Sequence, residues 1–208
     1  KLKVCDVNDG DKILKVVCGA PNAGIGRKIP FATIGAILPG DFEIKKTKIR
    51  GVESDGMLCA QDELGLGEDS AGLWELPLDA PIGEDFSDYL ELHDNIIDID
   101  LTPNRGDCLS LRGVARELGV INNCNVSFQS EDKVLSTISD SVKSTITAPE
   151  GCARYVSRVI KNINLNAKTP IWMQEKLRRS GIRSRSPIVD VTNYELLEIG
   201  KKMHAFDL

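Results

Sequence analysis

The sequence predicts a mixed α+β chain that is mostly β: a small barrel, then a strand and helix segment, then the start of a second α+β domain. Three observations support this class. Short apolar runs separated by turn residues fill the first part, a helical pattern first appears after residue 100, and a Ser/Thr-rich stretch precedes two further helical patterns. The predicted domains are therefore 1–90, 91–150 and 151–208.

The first predicted element is a hairpin. The runs LKVCDV and KILKVVC flank NDGD, in which Asn and Asp tolerate positive φ and Gly adopts it freely. Three further β-rich runs, each bounded by glycine, follow as RKIPFATIGAIL, FEIKKTKIRG and GMLCAQDELGL. About five strands without a long helix are typical of a small closed barrel, and the OB-fold is the five-stranded form.

One predicted strand of the barrel is basic. The run IKKTKIR contributes four cations, Lys45, Lys46, Lys48 and Arg50. Such a local positive strip is suited to RNA phosphates, although only Phe31 and Phe42 in these strands could stack on bases. A solvated lysine-rich strand edge that prevents sheet-to-sheet association explains the same pattern. The sequence leaves both interpretations open.

A change of pattern near residue 91 predicts a strand, a turn and a helix. Ile97, Ile99 and Leu101 alternate with Asp98 and Asp100. The turn contains Pro103, Asn104 and Gly106, Asp107 is the predicted N-cap, and the apolar helix face is Leu111, Val114, Ala115 and Leu118, ending at Gly119. The acidic residues could suggest a metal cluster, but the sequence favours a solvated strand face with a helix cap, and no metal site is predicted.

The last third of the sequence predicts a linker, a strand and two helices. A Ser/Thr-rich linker covers 127–151, and ARYVSRVIKNINL alternates as a strand that opens the next domain. The helix in TPIWMQEKLRRSG has Thr169 as its predicted N-cap and Pro170 at its first position, and its last turn and stop are Lys176, Arg178, Arg179 and Gly181. VDVTNYELLEIG predicts a final helix that follows Pro187 and ends at Gly200.

Composition narrows the class of protein. The net charge of −5 argues against a chain that clamps nucleic acid along its whole length. No apolar run approaches the ~20 residues that span a bilayer and no signal-peptide core is present, so a cytoplasmic location is expected. The six cysteines lack C-x-x-C spacing and are expected to be reduced thiols. The first and last residues suggest a piece of a longer protein.

The final eighteen residues, VTNYELLEIGKKMHAFDL, hold one of only two histidines. His204 follows Thr192, Asn193 and Glu198, and its side chain type can orient or deprotonate water near neutral pH. From the residue types alone, the favoured interpretation is a structural histidine, with Thr192 and Asn193 only capping the helix. The other histidine, His93, lies among acidic residues and is expected at the surface.

Longer motifs carry a family resemblance. CGAPN, GAILPGDFEIKKTKIRGVESDGMLCAQDELGL and ELPLDAPIGED resemble the tRNA-binding OB domain of bacterial phenylalanyl-tRNA synthetase β subunits. TPNRGDCLSLRGVARELGV resembles the strand-turn-helix that follows this domain in the family. WMQEKLRRSGIRSRSPIVDVTNYELLEIGKKMHAFDL resembles the opening of the family's editing domain. The motifs occur in the family's order along essentially the whole sequence.

The resemblance implies a function and partners. It implies a longer parent chain in an (αβ)₂ heterotetramer that joins phenylalanine to tRNA(Phe) with ATP and Mg²⁺, the aminoacylation site lying on the α subunit. It also implies that the parent hydrolyses mischarged Tyr-tRNA(Phe), with His204, Thr192 and Asn193 matching residues of the editing pocket. The 208 residues alone are then expected to be inactive in both reactions and to hold no cofactor. The competing interpretation is a free-standing, non-enzymatic OB-fold RNA-binding module.

Overall fold

A computed structural model describes residues 1–128 and 132–208. The chain divides into two compact units, Lys1–Asn95 and Ile96–Leu208. Within the described residues, all strands belong to the first unit and all helices of nine or more residues to the second. Part of the predicted linker, 129–131, lies outside the described residues. None of the described helices combines the length and the apolar character needed to cross a membrane.

The predicted hairpin is confirmed. Strands β1 (Lys3–Asn8) and β2 (Ile13–Cys18) pair antiparallel, with Asn8 opposite Ile13. The Asp9 carboxylate caps the turn, accepting hydrogen bonds from the backbone N–H groups of residues 11 and 12 at 3.1 and 2.9 Å. Gly10 has a φ of +102°, a conformation that glycine adopts without steric cost. Local turn chemistry therefore fixes the register of this sheet.

The rest of the first unit has more and shorter strands than the sequence predicts. They are β3 (Phe31–Thr33), β4 (Ile37–Leu38), β5 (Phe42–Glu43), β6 (Thr47–Ile49), β7 (Val52–Ser54) and β8 (Gly56–Leu58). β3 pairs with β8, β4 with β5 and β6 with β7, which with the hairpin makes four two-stranded sheets. The described residues thus form small two-stranded sheets and no closed barrel. Strands of two or three residues make too few hydrogen bonds to link neighbouring sheets into a continuous ladder.

Asn22 joins two distant segments of the first unit. Its Nδ2 donates to the Leu73 carbonyl oxygen and to Glu75 Oε1, both at 2.9 Å, and its Oδ1 accepts from the Leu73 N–H at 2.9 Å. The side chain therefore pairs with Leu73 as a neighbouring strand would. This connection closes one side of a small core made of Cys18, Ala23 and Leu73.

A second core cluster contains Ala32, Ile44 and Cys59. Cys59 is fully buried, and this burial raises the pKa of its thiol to about 12. All six cysteines are free, with Cys124 and Cys152 exposed. The buried thiols act here as small apolar side chains.

We expect thiol alkylation at pH 8 to follow this burial. Because the thiolate is the nucleophile, a raised pKa leaves Cys59 almost entirely protonated and unreactive, whereas Cys124 and Cys152 should react first. Mass spectrometry of peptides after a short iodoacetamide pulse measures the order. Labelling in denaturant, where all six sites should react, is the control. Early native-state labelling of Cys59 would contradict the expectation.

Among its described residues, the second unit has three helices of nine or more residues. They are α2 (Leu111–Ile121), α3 (Ile171–Arg179) and α4 (Pro187–Ile199), the first unit having contributed the short α1 (Phe86–Tyr89). The predicted ends of the last two helices are confirmed. Three cations occupy the last turn of α3, and Gly200 ends α4 in the left-handed conformation with a φ of +79°.

Two strands predicted for this unit are wrong. The segments 97–101 and 153–165 have no strand structure, and Ile97 is 79% exposed. In the described part of the unit no other strand lies beside either segment, so their extended backbone lacks a hydrogen-bonding partner. An alternating pattern specifies which side chains would share a face, but it cannot supply the neighbouring strand.

Several predicted helix boundaries are also wrong. The N-cap of α2 is Ser110, whose Oγ accepts from the Gly113 N–H at 3.1 Å, and Asp107 instead lies in a 3₁₀ turn at Gly106–Cys108. That helix passes through the predicted stop at Gly119 and ends at Ile121. Its predicted apolar face is largely open, since Leu111 and Leu118 are 63% and 53% exposed. Pro170, not Thr169, occupies the N-cap position of α3.

Candidate functional site

The residues predicted for hydrolysis lie on α4 and on the tail that follows it. Thr192 and Asn193 are neighbours in the second turn of α4 and are half-buried. The Thr192 hydroxyl donates to the Val189 carbonyl oxygen at 2.7 Å. His204 is exposed, and its ring centroid lies 6.2 Å from that of Phe206. The structure thus brings Thr192 and Asn193 together, and among the hydrogen bonds of the described residues none joins His204 to either.

A buried carboxylate fixes the start of α4. Asp190 is fully buried and accepts hydrogen bonds from the Thr169 hydroxyl, from Ser184 Oγ at 2.6 Å and from the Arg185 N–H at 2.8 Å. It thereby joins the segment that leads into α3, the loop between the helices and the first turn of α4. Sequence reasoning missed this role, because an acidic residue in a first helical turn is ordinarily an exposed partner of the helix dipole.

Aromatic and cationic side chains meet between α3 and α4. The rings of Trp172 and Tyr194 pack edge to face with centroids 5.4 Å apart, and Trp172 is 52% exposed. Lys176 Nζ lies 5.8 Å from the Trp172 ring and 5.7 Å from the Tyr194 ring. Such cation–π contacts each contribute about 0.5–1 kcal/mol at exposed sites. The helix pair thus presents an ordered aromatic group beside an ammonium.

The acidic residue of α3 is enclosed by its own helix. Glu175 is 5% exposed and accepts from Arg178 at 3.0 and 2.7 Å, with Arg179 at 3.5 Å. The hydrogen bonds that Arg178 donates to Glu175 raise the pKa of the Arg178 guanidinium. This carboxylate is therefore already paired with arginine. Because Glu175 is the acidic residue of α3, the exposed Lys176 has no exposed carboxylate beside it on that helix.

A second charged cluster surrounds Arg105. Its guanidinium donates twice to Asp107 at 3.1 Å and once to Glu117 at 2.6 Å. These hydrogen bonds lower the pKa of both carboxylates. Asp98 and Asp100 are exposed, and no group of three or more metal-ligating side chains occurs among the described residues. The cluster stabilises the turn before α2.

The predicted basic strip is partly paired. Lys45 Nζ lies 2.9 Å from Glu43, and Lys46 Nζ lies 2.8 Å from Glu53 and 3.2 Å from Asp55. The hydrogen bond to Glu53, followed by that to Asp55, raises the pKa of Lys46. Lys48 stands opposite Glu53 in the β6–β7 register, and Arg50 lies at positive φ in the connecting turn. Carboxylates therefore offset much of the positive charge of this strip.

Two further residues considered in the sequence, His93 and Glu198, lie outside the buried cores. His93 is exposed and its Nε2 lies 3.9 Å from Asp88, as the sequence predicts for a surface residue. Glu198 is half-buried on α4.

Comparisons with known proteins identify both ends of the chain. Residues 1–85 match the family model described as "Putative tRNA binding domain", and residues 151–208 match the "B3/4 domain" model. The whole chain aligns at 57% identity with the phenylalanine–tRNA ligase β subunit of Pseudoalteromonas translucida and at 59% with that of Haemophilus influenzae Rd. The chain belongs to the phenylalanine–tRNA ligase β-subunit family.

Family membership covers every residue of the chain but only part of its relatives. The alignments include 100% of the chain and 26% of each of those two β subunits. A β subunit from Idiomarina loihiensis shows the same coverage at 57% identity. These relatives are subunits of an aminoacyl-tRNA synthetase, and the tRNA-binding and B3/4 matches agree with the predicted resemblance. The chain therefore spans about a quarter of the β subunits it matches.

Proposed function

We propose that this chain is the part of a phenylalanine–tRNA ligase β subunit that contributes tRNA binding and the first elements of an editing site. The observation that carries the proposal is the order of the two domain matches within an alignment of the whole chain at 57–59% identity. The holoenzyme would be a cytoplasmic (αβ)₂ heterotetramer that attaches phenylalanine to tRNA(Phe). ATP and Mg²⁺ would act at the α subunit, and no residue of this chain is assigned to them.

The first unit would be an OB-type tRNA-binding domain. The match over 1–85 supports this proposal, and so does the antiparallel pairing of its short strands. Lys48 and Arg50 would meet phosphate more readily than Lys46, because two carboxylates already hold the ammonium of Lys46. Lys45 would have to exchange Glu43 for phosphate.

Hydrolytic editing would compensate for the limited ability of a binding pocket to distinguish phenylalanine from tyrosine. An apolar pocket rejects an isostere that adds one hydroxyl by only about a hundredfold. A hydrolytic site can add discrimination if it satisfies the tyrosine hydroxyl, since a buried unpaired hydroxyl costs ~1–3 kcal/mol. His204 would orient or deprotonate the attacking water, while Thr192 and Asn193 would hold the amino or carbonyl group of the aminoacyl ester. Residues of the parent β subunit outside this chain would complete the pocket.

Substitution of His204 tests this assignment in the holoenzyme. His204→Ala is expected to slow deacylation of Tyr-tRNA(Phe) about a hundredfold, because a positioned general base contributes ~10²–10⁴ to such rates. The formation of Phe-tRNA(Phe) should be unchanged. Both rates are measured with radiolabelled amino acids, and His93→Ala serves as the matched control because His93 is exposed in the first unit. Equal deacylation by wild type and His204→Ala would contradict the catalytic role.

A further inference from the structure

The segment 168–185 differs in charge from the rest of the chain. It contains six cations and one carboxylate, a net charge of +5, whereas the whole chain carries −5. The single carboxylate, Glu175, is buried beneath Arg178 and Arg179. The side chains of Lys168, Lys176 and Arg185 are exposed. These three cations are therefore presented to solvent.

Hydrogen bonds hold these exposed cations on one helix pair. Asp190 accepts from the Thr169 hydroxyl and from the Arg185 N–H, so the side chain that follows Lys168 and the backbone of Arg185 contact one carboxylate. One turn further along α4, about 6 Å away by helix geometry, Tyr194 contacts Lys176. The three cations thus extend along the α3–α4 pair from its Asp190 end to its Tyr194 end.

The exposed half of Trp172 lies within this group. Its indole is fixed by the edge-to-face contact with Tyr194 and by Lys176, four residues further along α3. Proteins that bind single-stranded nucleic acids combine aromatic rings, on which the bases stack, with cations that pair with the phosphates.

The acidic residues of α4 only partly offset the positive charge of Lys168, Lys176 and Arg185. Asp190 is fully buried and its oxygens accept three hydrogen bonds. Glu195 and Glu198 are half-buried, and in the part of the chain that the structure describes neither makes an ion pair. They leave Lys168, Lys176 and Arg185 available to an external anion.

We propose that Lys168, Trp172, Lys176 and Arg185 form a binding surface for single-stranded RNA, here called the α3 basic surface. The cations would pair with successive phosphates and Trp172 would stack on an unpaired base. The identification of this RNA with the unpaired 3′ end of tRNA(Phe) rests on the proposed function. Trp172 of this surface packs against Tyr194 of α4, the helix that also carries Thr192 and Asn193. It would guide the aminoacyl end towards those residues.

Charge reversal in the 208-residue chain tests the surface. The triple variant Lys168→Glu/Lys176→Glu/Arg185→Glu is expected to bind a tRNA(Phe) transcript at least tenfold more weakly in fluorescence anisotropy. Its plot of log affinity against log salt should be shallower by about 2, since each lost contact to a single strand removes ~0.7 from the slope. The control Lys12→Glu/Lys133→Glu/Lys143→Glu changes the net charge equally at exposed positions elsewhere. Circular dichroism verifies that both variants are folded.

Trp172 provides a direct report of stacking. Because the chain has only two tryptophans, Trp74→Phe leaves Trp172 as its sole indole. Its fluorescence should be quenched by the transcript and not by the same transcript lacking its unpaired 3′ nucleotides. Equal weakening by the two triple variants, absence of wild-type binding, or absence of 3′-end-dependent quenching would each overturn the proposal.

Failure of this surface is distinguishable from failure of the proposed function. A holoenzyme that deacylates Tyr-tRNA(Phe) through His204 while the α3 basic surface binds no RNA would refute this inference alone. A Lys45→Glu/Lys46→Glu/Lys48→Glu variant separates the strip of the first unit from the α3 basic surface. If only that variant loses affinity for tRNA(Phe), the α3 basic surface is refuted and tRNA binding by the first unit stands.

Discussion

Gly113→Ala is expected to destabilise the second unit by about 3 kcal/mol, at the upper end of typical overpacking effects. A Cβ at Gly113 would overlap the Asp107 carbonyl oxygen and would lie 2.8 Å from its carbon and 3.0 Å from Cys108 Cα. These are backbone atoms of the 3₁₀ turn before α2, so a side-chain rotation cannot relieve the contact. Urea unfolding followed by helical circular dichroism measures the loss.

Gly106→Ala is the matched control for this substitution. No heavy atom outside its chain neighbours lies within 4 Å of a Cβ built at Gly106, and its φ is not in the left-handed region. Reduced freedom of the unfolded chain should make this change neutral or stabilising by about 0.4–1 kcal/mol. Of these two Gly→Ala substitutions in one short segment, only Gly113→Ala is therefore expected to destabilise the protein. An equal response of the two variants would show that the close approach at Gly113 does not limit stability.

Asp190→Ala is expected to lower the free energy of unfolding of the second unit by about 3 kcal/mol. The substitution leaves the Thr169 hydroxyl, Ser184 hydroxyl and Arg185 N–H without their acceptor, and hydrogen bonds to charged groups contribute ~1.5–3 kcal/mol each without being additive. Because these groups join three segments, the loop before α4 should also lose order. Hydrogen exchange at the Arg185 amide reports that local effect.

Two further substitutions separate the hydrogen bonds from the helix itself. Asp190→Asn keeps the shape and one acceptor oxygen, so its loss of stability should be smaller than that of Asp190→Ala. Glu195→Ala, on the same helix and half-buried, should change stability by less than about 0.5 kcal/mol. Similar losses from Asp190→Ala and Glu195→Ala would contradict a special role for the buried carboxylate.

The features predicted correctly are those that short-range chemistry specifies. NDGD supplies three of the four residues in the turn of the β1–β2 hairpin, and the end of α4 depends on one glycine at Gly200. The family was also identified from contiguous motifs and is confirmed by the full-chain matches. In each case the residues that decide the outcome are neighbours in sequence.

The wrong predictions concern features that depend on residues distant in sequence. The alternation at 97–101 satisfies the rule for a strand, yet a strand requires a partner that the pattern does not encode. Asp107 and Ser110 are equally good cap residues in isolation, and Arg105 engages the first of them. Position 190 carries an acidic residue like many helix starts, and only the packed loops bury it.

The candidate site likewise has one part that sequence motifs identify and one part that only helix packing creates. Its residue types at 192, 193 and 204 were identified through motif resemblance, and their editing role stays a prediction. The aromatic and cationic grouping around Trp172 was not anticipated, because its members come from two helices and the helix-dipole explanation of Lys176 was sufficient in sequence. Packing between helices, which a linear pattern does not contain, creates that grouping.

The side chain of Asn22 also makes the first unit sensitive to chemical ageing. Spontaneous deamidation would replace its Nδ2 group, which now donates to the Leu73 carbonyl and to Glu75, with a negatively charged oxygen. Two donors would be lost and two carboxylates would face each other across the closure of the core. The native hydrogen bonds hold this amide in place, so the fold both depends on its chemical integrity and restrains the motion that its degradation requires.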